Sequence, residues 1–158
     1  MNNFKRQRDL VVVGGTLSDA HVVSIYMVTL FLEEKGYEVL NLSCCNPTAN
    51  FFTSVPQGRP VTAFVVANQN GCALADLQDL PSLKLEFQIT SPIVLGGHYY
   101  VGCVPNAAIK NQLLALGITC ILDSPEELLA YLQSLRGNSE PVVETEQIAL
   151  SVACTLER

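Results

Sequence analysis

The chain has 158 residues, of which 49% are hydrophobic and 15% are charged, and its formal net charge is −6 at pH 7. That length suits one domain with a full core, and the high apolar content excludes a disordered chain. Because no apolar run approaches the ~18 residues of a membrane span, and nine basic residues are few for a nucleic-acid surface, we expect a soluble globular protein without membrane or nucleic-acid contacts.

The six cysteines are the first feature that bears on cellular location. The start of the chain has no apolar segment typical of a signal peptide, and no Cys-x-x-Cys pair occurs in the sequence. We therefore expect reduced thiols and a cytoplasmic protein.

The first predicted element is a strand at Val11–Val13, followed by two glycines and then by Asp19-Ala20-His21. Consecutive branched residues predict a strand that is buried on both faces. Asp19 can accept a hydrogen bond from one imidazole nitrogen of His21, which leaves the other nitrogen for a metal or a proton. The pattern therefore predicts a histidine ligand at the carboxyl end of the strand.

Helical and strand patterns alternate through the rest of the chain. The predicted helices cover residues 22–36, 46–55, a leucine-spaced stretch from 74 that ends at Pro81, 105–117 and 124–135. The predicted strands cover residues 37–43, 61–67, 92–95, which ends on Gly96-Gly97, and 118–122. Residues 68–71 have the composition of a turn.

Five strands alternating with helices predict a doubly wound α/β fold, in which a parallel sheet has helices on both faces. The expected strand order is 2-1-3-4-5, as in flavodoxin-like and other Rossmann-like domains. Ligands of such folds bind outside the carboxyl ends of the strands, near the switch between strands 1 and 3. His21, residues 67–71 and Gly96-Gly97 all lie at that edge.

Residues 1–136 are expected to form the domain, and residues 137–158 a linker and a C-terminal tail. Apolar residues alternate with smaller ones from Ile148 to Leu156. This pattern is typical of an edge strand, which would pair with this sheet or with a partner. A poorly ordered tail is the other interpretation.

Three motifs at the predicted ligand edge resemble those of a known family. They are Asp19-Ala20-His21 with the three residues that follow it, the loop after strand 3, and Gly96-Gly97. Together they are similar to the Asp-x-His-x-x-Gly, Ser-x-Leu and Gly-Gly signature of cobalamin-binding domains of the base-off, His-on type. Residues 9–135 most resemble the small cobalamin-binding subunit of glutamate mutase (methylaspartate mutase).

The resemblance implies that His21 is the lower ligand of the cobalt and that Asp19 orients it. The displaced nucleotide tail of the cofactor would pass between the sheet and a helix, beside Gly97. The other cofactor-binding residues that it implies are Ser24, Ala67, Asn68, Gln69, Gly71, Gly96 and His98.

Two positions depart from the family signature. Ser24 stands where the signature has glycine, which adds a side chain beneath the expected corrin face. Ala67-Asn68-Gln69 occupies the Ser-x-Leu position, so the hydroxyl expected to hold the tail base is missing, and Asn68 is the possible replacement.

The function that the resemblance implies is the cofactor-carrying subunit of an adenosylcobalamin-dependent carbon-skeleton mutase. Such an isomerase would need a larger catalytic subunit, because this chain has few polar candidates for binding a substrate. The alternative is a non-catalytic or degenerate cobalamin-binding domain that signals or delivers the cofactor through a protein partner.

Two further interpretations are a corrinoid methyl carrier and a zinc site of mixed cysteine and histidine ligands. The cysteines that could take part in such a zinc site follow strands 2, 3 and 4, and they are Cys44, Cys45, Cys72 and Cys103.

Overall fold

The computed structural model describes residues 8–102 and 106–137. The strands are β1 Leu10–Gly15, β2 Glu38–Asn41, β3 Val61–Asn68, β4 Ile93–Gly97 and β5 Cys120–Leu122. The helices are α1 Val22–Glu34, α2 Thr48–Thr53, α3 Ala73–Asp76, α4 Leu80–Glu86, α5 Ala107–Ala115 and α6 Pro125–Gly137.

The strands form a parallel sheet in the order β2-β1-β3-β4-β5. The flavodoxin-like order expected from the sequence is therefore confirmed. β1 lies inside the sheet, and every one of its residues is buried. Its run of valines reflects this position, because a strand covered by helices on both faces has no side that meets water.

Two apolar cores lie on the two faces of the sheet. Successive side chains of a strand point to opposite faces, so Val11 and Val13 pack in the core with α1 and α6, whereas Val12 packs in the other. The aromatic rings of Phe51 and Phe52 from α2 fill that second core. Full burial of each such side chain contributes roughly 1.5–3 kcal/mol.

The prediction was wrong between the third and fourth strands, where a helix was expected to stop at Pro81 and a looser stretch to follow. The helix α3 ends earlier, at Asp76, and Pro81 lies in the first turn of a second helix, α4. Proline suits this position because the first turn leaves its N–H groups unpaired and because the ring holds a helical φ. Six helices, not five, therefore accompany the sheet in the described residues.

The starts of the last two helices are fixed by side-chain caps. Asn106 Oδ1 accepts hydrogen bonds from the N–H groups of Ala108, at 2.9 Å, and of Ile109, at 3.4 Å. At α6, Ser124 Oγ accepts from the Glu127 N–H at 3.1 Å, as the capping-box prediction requires.

The predicted tail beyond residue 137, and Pro105, lie outside the described residues. No helix within residues 8–102 and 106–137 is long and apolar enough to cross a membrane.

Candidate functional site

The loops that follow β1, β3 and β4 meet at the carboxyl edge of the sheet. The Gln69 N–H donates to Asp19 Oδ2 at 2.7 Å, which joins the first two loops. The Gly71 N–H donates to the His98 carbonyl oxygen at 3.0 Å, which joins the second to the third. These contacts place the sequence-predicted residues around one crevice, at the switch between β1 and β3 where doubly wound folds bind ligands.

Asp19 is buried in this crevice and contacts residues of both the β1 and β3 loops. Its side chain is only 1% exposed, and a buried carboxylate needs hydrogen-bond donors to offset the loss of water. Oδ1 accepts from the backbone N–H of His21 at 3.1 Å and lies 2.5 Å from His21 Nδ1, while Oδ2 accepts from Gln69. The main chain of Asp19 is held as well, because its carbonyl oxygen accepts from the Cys45 N–H at 3.0 Å.

His21 presents the other side of its ring to the surface. The carboxylate of Asp19 can only accept, so Nδ1 carries the proton and the lone pair of the neutral ring lies on Nε2. The His21 side chain is 60% exposed, and it borders an open depression that Val23, Ser24 and Gln69 also line. An imidazole nitrogen oriented in this way is a good ligand for a transition metal.

An apolar groove of about 250 Å³ lies between α1 and α6, above the carboxyl half of the sheet. Ser24 and Gln69 line both this groove and the depression at His21. The Ser24 hydroxyl is engaged within the chain, because it donates to the His21 carbonyl oxygen at 2.9 Å. The groove therefore begins where the histidine is presented.

Gly97 holds the ends of β3 and β4 close together beside the groove. Its φ is +98°, and a Cβ at this position would overlap the Asn68 carbonyl oxygen and would come within 2.8 Å of Gln69 Nε2. At Gly96 the nearest atom to an added Cβ would be the Leu122 carbonyl oxygen, at 3.7 Å. Only the second glycine of the pair is thus required by conformation.

The first two residues at the Ser-x-Leu position, Ala67 and Asn68, point in different directions. Ala67 lines the groove with its methyl group. Asn68 is fully buried, and its Nδ2 donates to Thr16 Oγ1 and to Asn70 Oδ1, both at 2.8 Å. Its Oδ1 accepts from the Gly71 N–H at 3.0 Å. The amide expected as a replacement for the missing hydroxyl is engaged within the loop instead of facing the groove.

A second, more polar cavity of about 580 Å³ adjoins the site on the β4 side. His98, Tyr100 and Lys110 line it, and Gln69 and Gly97 separate it from the groove. The His98 and Tyr100 rings lie 4.3 Å apart between centroids. His98 is therefore a rim residue of this cavity and does not lie with His21.

Sequence reasoning did not predict the contribution of α6 to the site. Leu128 of α6, together with Leu122 at the end of β5 and Ser124 just before α6, lines the groove opposite α1, although these residues are about 100 positions away in the sequence. The predicted strand order could have indicated this contact, because helices that follow the first and last strands of this fold can lie side by side on one face of the sheet.

The cysteines do not form a metal site in the described residues. Cys44, Cys45, Cys72 and Cys120 are free thiols, and no group of three or more His, Cys, Asp or Glu side chains in residues 8–102 and 106–137 is arranged to hold a metal ion. Cys45 Sγ lies 3.5 Å from the Asp19 carbonyl oxygen, so this thiol contacts the main chain of the β1 loop. Cys103 lies outside the described residues.

The chain is 26% identical over 144 residues to glutamate mutase sigma subunit 2 of Haloarcula marismortui, an alignment that covers 89% of this chain and 97% of that protein. The predicted resemblance is confirmed. No protein-family model matches the sequence.

Solved structures share the fold. A cobalamin-binding protein from Desulfitobacterium hafniense is similar with a TM-score of 0.65 and 17% identity over 82% of this chain. A chain of the methanol:cobalamin methyltransferase complex from Methanosarcina barkeri is similar with a TM-score of 0.61 and 21% identity over 88% of this chain. This chain spans 60% and 55% of those two proteins.

A chemotaxis response regulator of Vibrio cholerae is similar as well, with a TM-score of 0.59 and 19% identity over 82% of this chain. The fold is therefore common to proteins of different function, and the function must be argued from the site.

Proposed function

We propose that this chain is the cobalamin-binding subunit of an adenosylcobalamin-dependent carbon-skeleton mutase similar to glutamate mutase, with His21 as the lower ligand of the cobalt. The observation that carries the proposal is the Asp19–His21 pair at the open end of an apolar groove. The near full-length similarity to a glutamate mutase sigma subunit supports the class of enzyme.

The residues of the site fit this cofactor. His21 offers an exposed nitrogen whose tautomer is set by Asp19, which is the usual arrangement of a metal-binding histidine. The groove volume of about 250 Å³ lies below the ~300–1,000 Å³ of pockets that enclose a drug-sized ligand. The groove therefore suits one part of a large cofactor, such as a bicyclic base, while the rest stays outside.

The cofactor, when bound, supplies a cobalt–carbon bond whose homolysis starts radical chemistry. The part of this chain is to bind and orient. Asp19 accepts the Nδ1–H of His21 and so keeps the Nε2 lone pair available and basic. The Gln69 N–H donates to the second carboxylate oxygen of Asp19. This contact between the β1 and β3 loops fixes the orientation of Asp19 and, through it, of the His21 ring. Conversion of the substrate falls to a partner.

A larger catalytic partner is the second part of the proposal. The outer face of α1 is apolar, with Val23 72%, Tyr26 54%, Met27 63% and Leu30 59% exposed. Their i, i+3, i+4, i+7 spacing places them on one side of the helix, and contiguous apolar surface of this kind marks an interface. Because the helix starts directly after His21, a partner on this face would also cover the cofactor site.

A titration followed by visible absorbance tests the cofactor site. Purified protein is titrated in the dark with adenosylcobalamin and with hydroxocobalamin, in the wild type, in His21→Ala and in His98→Ala. His98 is the matched control, since it is the only other histidine of the chain. We expect His21→Ala to lose the imidazole-dependent spectrum and His98→Ala to keep it. Bound spectra that are identical in all three proteins would contradict cobalt ligation by His21.

Asp19→Asn tests the orienting role of the carboxylate. An amide offers one acceptor oxygen, whereas Asp19 uses both of its oxygens. Loss of such a partner typically weakens metal binding by 10–100-fold, so we expect a weaker affinity with the His21-dependent spectrum retained at saturation. An unchanged dissociation constant would show that Asp19 is only structural.

The alternative, a degenerate carrier or signalling domain, is favoured by the methyl group of Ala67 in the groove. Mixing the cofactor-loaded protein with the catalytic subunit of a glutamate mutase and assaying isomerisation of glutamate distinguishes the two functions. Turnover that Tyr26→Glu abolishes, while cobalamin binding persists, supports the mutase. Tight binding without turnover favours the carrier.

A further inference from the structure

We infer that the groove between α1 and α6 selects corrinoids whose lower base is apolar, such as dimethylbenzimidazole, over those that carry adenine. The inference rests on the proposed function, because it names the class of ligand that the same site takes. It is argued from the side chains that line the groove.

The walls of the groove are formed by branched side chains without hydrogen-bonding groups. Val13 and Val94 from the sheet and Ile25 from α1 are at most 1% exposed. Further aliphatic side chains of the wall include those of Val28, Val65, Leu122 and Leu128. A base that enters the groove therefore meets methyl groups over most of its surface.

The polar side chains that border the groove lie at its mouth or at the start of α6. Ser24 Oγ donates to the His21 carbonyl oxygen, and Ser124 Oγ accepts from the Glu127 N–H. Gln69 and Asp123 also line the adjoining polar cavity, which places them at the boundary between the two spaces. The wall that β1, β3, β4 and the inner faces of α1 and α6 form thus carries aliphatic side chains, and it offers no side-chain acceptor to a donor on the base.

Ala67 is the residue on which the inferred preference between the two bases depends. It lies on β3 where the strand borders the groove, and it contributes a methyl group. The neighbouring amide of Asn68 cannot compensate, because its donors and its acceptor are bound to the loop. A hydroxyl at residue 67 would add a side-chain hydrogen-bonding group to the strand side of the groove.

The two classes of base differ in what they lose on entering such a groove. Adenine has an exocyclic amine with two N–H donors and further ring nitrogens, and a donor that is buried without a partner carries a large desolvation cost. Dimethylbenzimidazole also has a ring nitrogen that can accept a hydrogen bond, but it carries methyl groups where adenine has the amine, and these gain from burial. Leaving one donor unpaired predicts a preference for the benzimidazole of about 10–100-fold in dissociation constant.

The test compares three ligands that share the corrin ring and the upper ligand. They are hydroxocobalamin, the corresponding adenine-containing cobamide, and cobinamide, which has no base. Dissociation constants are measured by absorbance and by isothermal titration for the wild type, for Ala67→Ser and for Ala130→Ser. Ala130 is the matched control, because it is exposed on α6 and does not line the groove.

In the wild type we expect cobalamin to bind about 10–100-fold more tightly than the adenine-containing cobamide. Ala67→Ser should reduce this ratio, because its hydroxyl can accept from the amine that only adenine carries, and it should leave binding of cobinamide unchanged. Ala130→Ser should behave as the wild type in all three titrations. Circular dichroism is the control that checks whether both variants are folded.

The remaining outcomes overturn the inference in distinguishable ways. Equal affinity for the two cobamides, or a preference for adenine, with a His21-dependent spectrum would overturn the selectivity and leave the proposed function standing. Failure of the folded wild type to bind any of the three corrinoids would overturn the proposed function together with the inference.

Discussion

Replacing Gly97 with alanine should destabilise the protein far more than the same change at Gly96. Gly97 has a φ of +98°, and an added Cβ would overlap the Asn68 carbonyl oxygen. A side chain forced into such a φ costs of order 1–3 kcal/mol, and the backbone shift that relieves an overlap adds a comparable amount. We expect Gly97→Ala to lower the free energy of unfolding by about 3 kcal/mol.

Gly96→Ala provides the matched control one residue away. An added Cβ there would have ordinary contact distances, with the Leu122 carbonyl oxygen at 3.7 Å as its nearest neighbour. Replacing a glycine inside a strand with alanine is neutral or favourable by roughly 0.5–1 kcal/mol. The two variants should therefore differ by about 3–4 kcal/mol.

Urea unfolding followed by far-ultraviolet circular dichroism measures both free energies. A total stability of ~5–15 kcal/mol leaves Gly97→Ala folded in the absence of denaturant, so a complete transition can be recorded. Equal losses in the two variants would refute the assignment of the conformational requirement to Gly97. A loss below about 1 kcal/mol in Gly97→Ala would show that the β3 and β4 ends move apart easily.

Three further changes test other parts of the structure. The Tyr37 hydroxyl is buried and has no hydrogen-bond partner in the described residues, so Tyr37→Phe should raise the free energy of unfolding by about 1 kcal/mol at neutral pH. Burial also raises the pKa of Tyr37 above its ordinary value near 10. As the pH rises, the unfolded chain therefore releases the Tyr37 proton at a lower pH than the folded protein does. The free energy of unfolding of the wild type should fall above pH 10, and that of Tyr37→Phe should fall less. Ser124→Ala removes the acceptor for the Glu127 N–H and should cost ~1 kcal/mol in thermal unfolding; no change would show that water caps the helix as well. Asn68→Ala leaves the Gly71 N–H without its side-chain partner and should cost ~2–3 kcal/mol in urea; a smaller loss would show that the loop is held by its backbone alone.

Much of the fold followed from local patterns. The valines of β1 predicted a strand covered on both faces, and Ser124 with Glu127 predicted the start of α6, which the hydrogen bond between them confirms. The error came at Pro81, where a residue that ends many helices instead occupies the first turn of one. Proline permits either role, and the choice depends on whether the leucines that follow it find a core to pack against.

Some contacts of the candidate site could be predicted from the sequence. Asp19 and His21 are two residues apart, so their contact is available to the sequence alone. The second partner of Asp19 is the N–H of Gln69, fifty residues away, and only the pairing of β1 with β3 brings it there. The inward turn of the Asn68 amide could not be read from its residue type, since an asparagine at a strand end serves a loop and a ligand equally well.

The sequence by itself determined the alternation of strands and helices, the carboxyl edge where folds of this class bind ligands, and the histidine with its carboxylate. These features depend on hydrophobic period, on caps and on neighbours along the chain. The tertiary structure decided that α1 and α6 enclose an apolar groove beside His21 and that α1 exposes its other apolar face. Both follow from the way in which helices distant in the chain pack on one face of the sheet, and only that packing decides which apolar residues are buried in a core, line a groove or stay exposed.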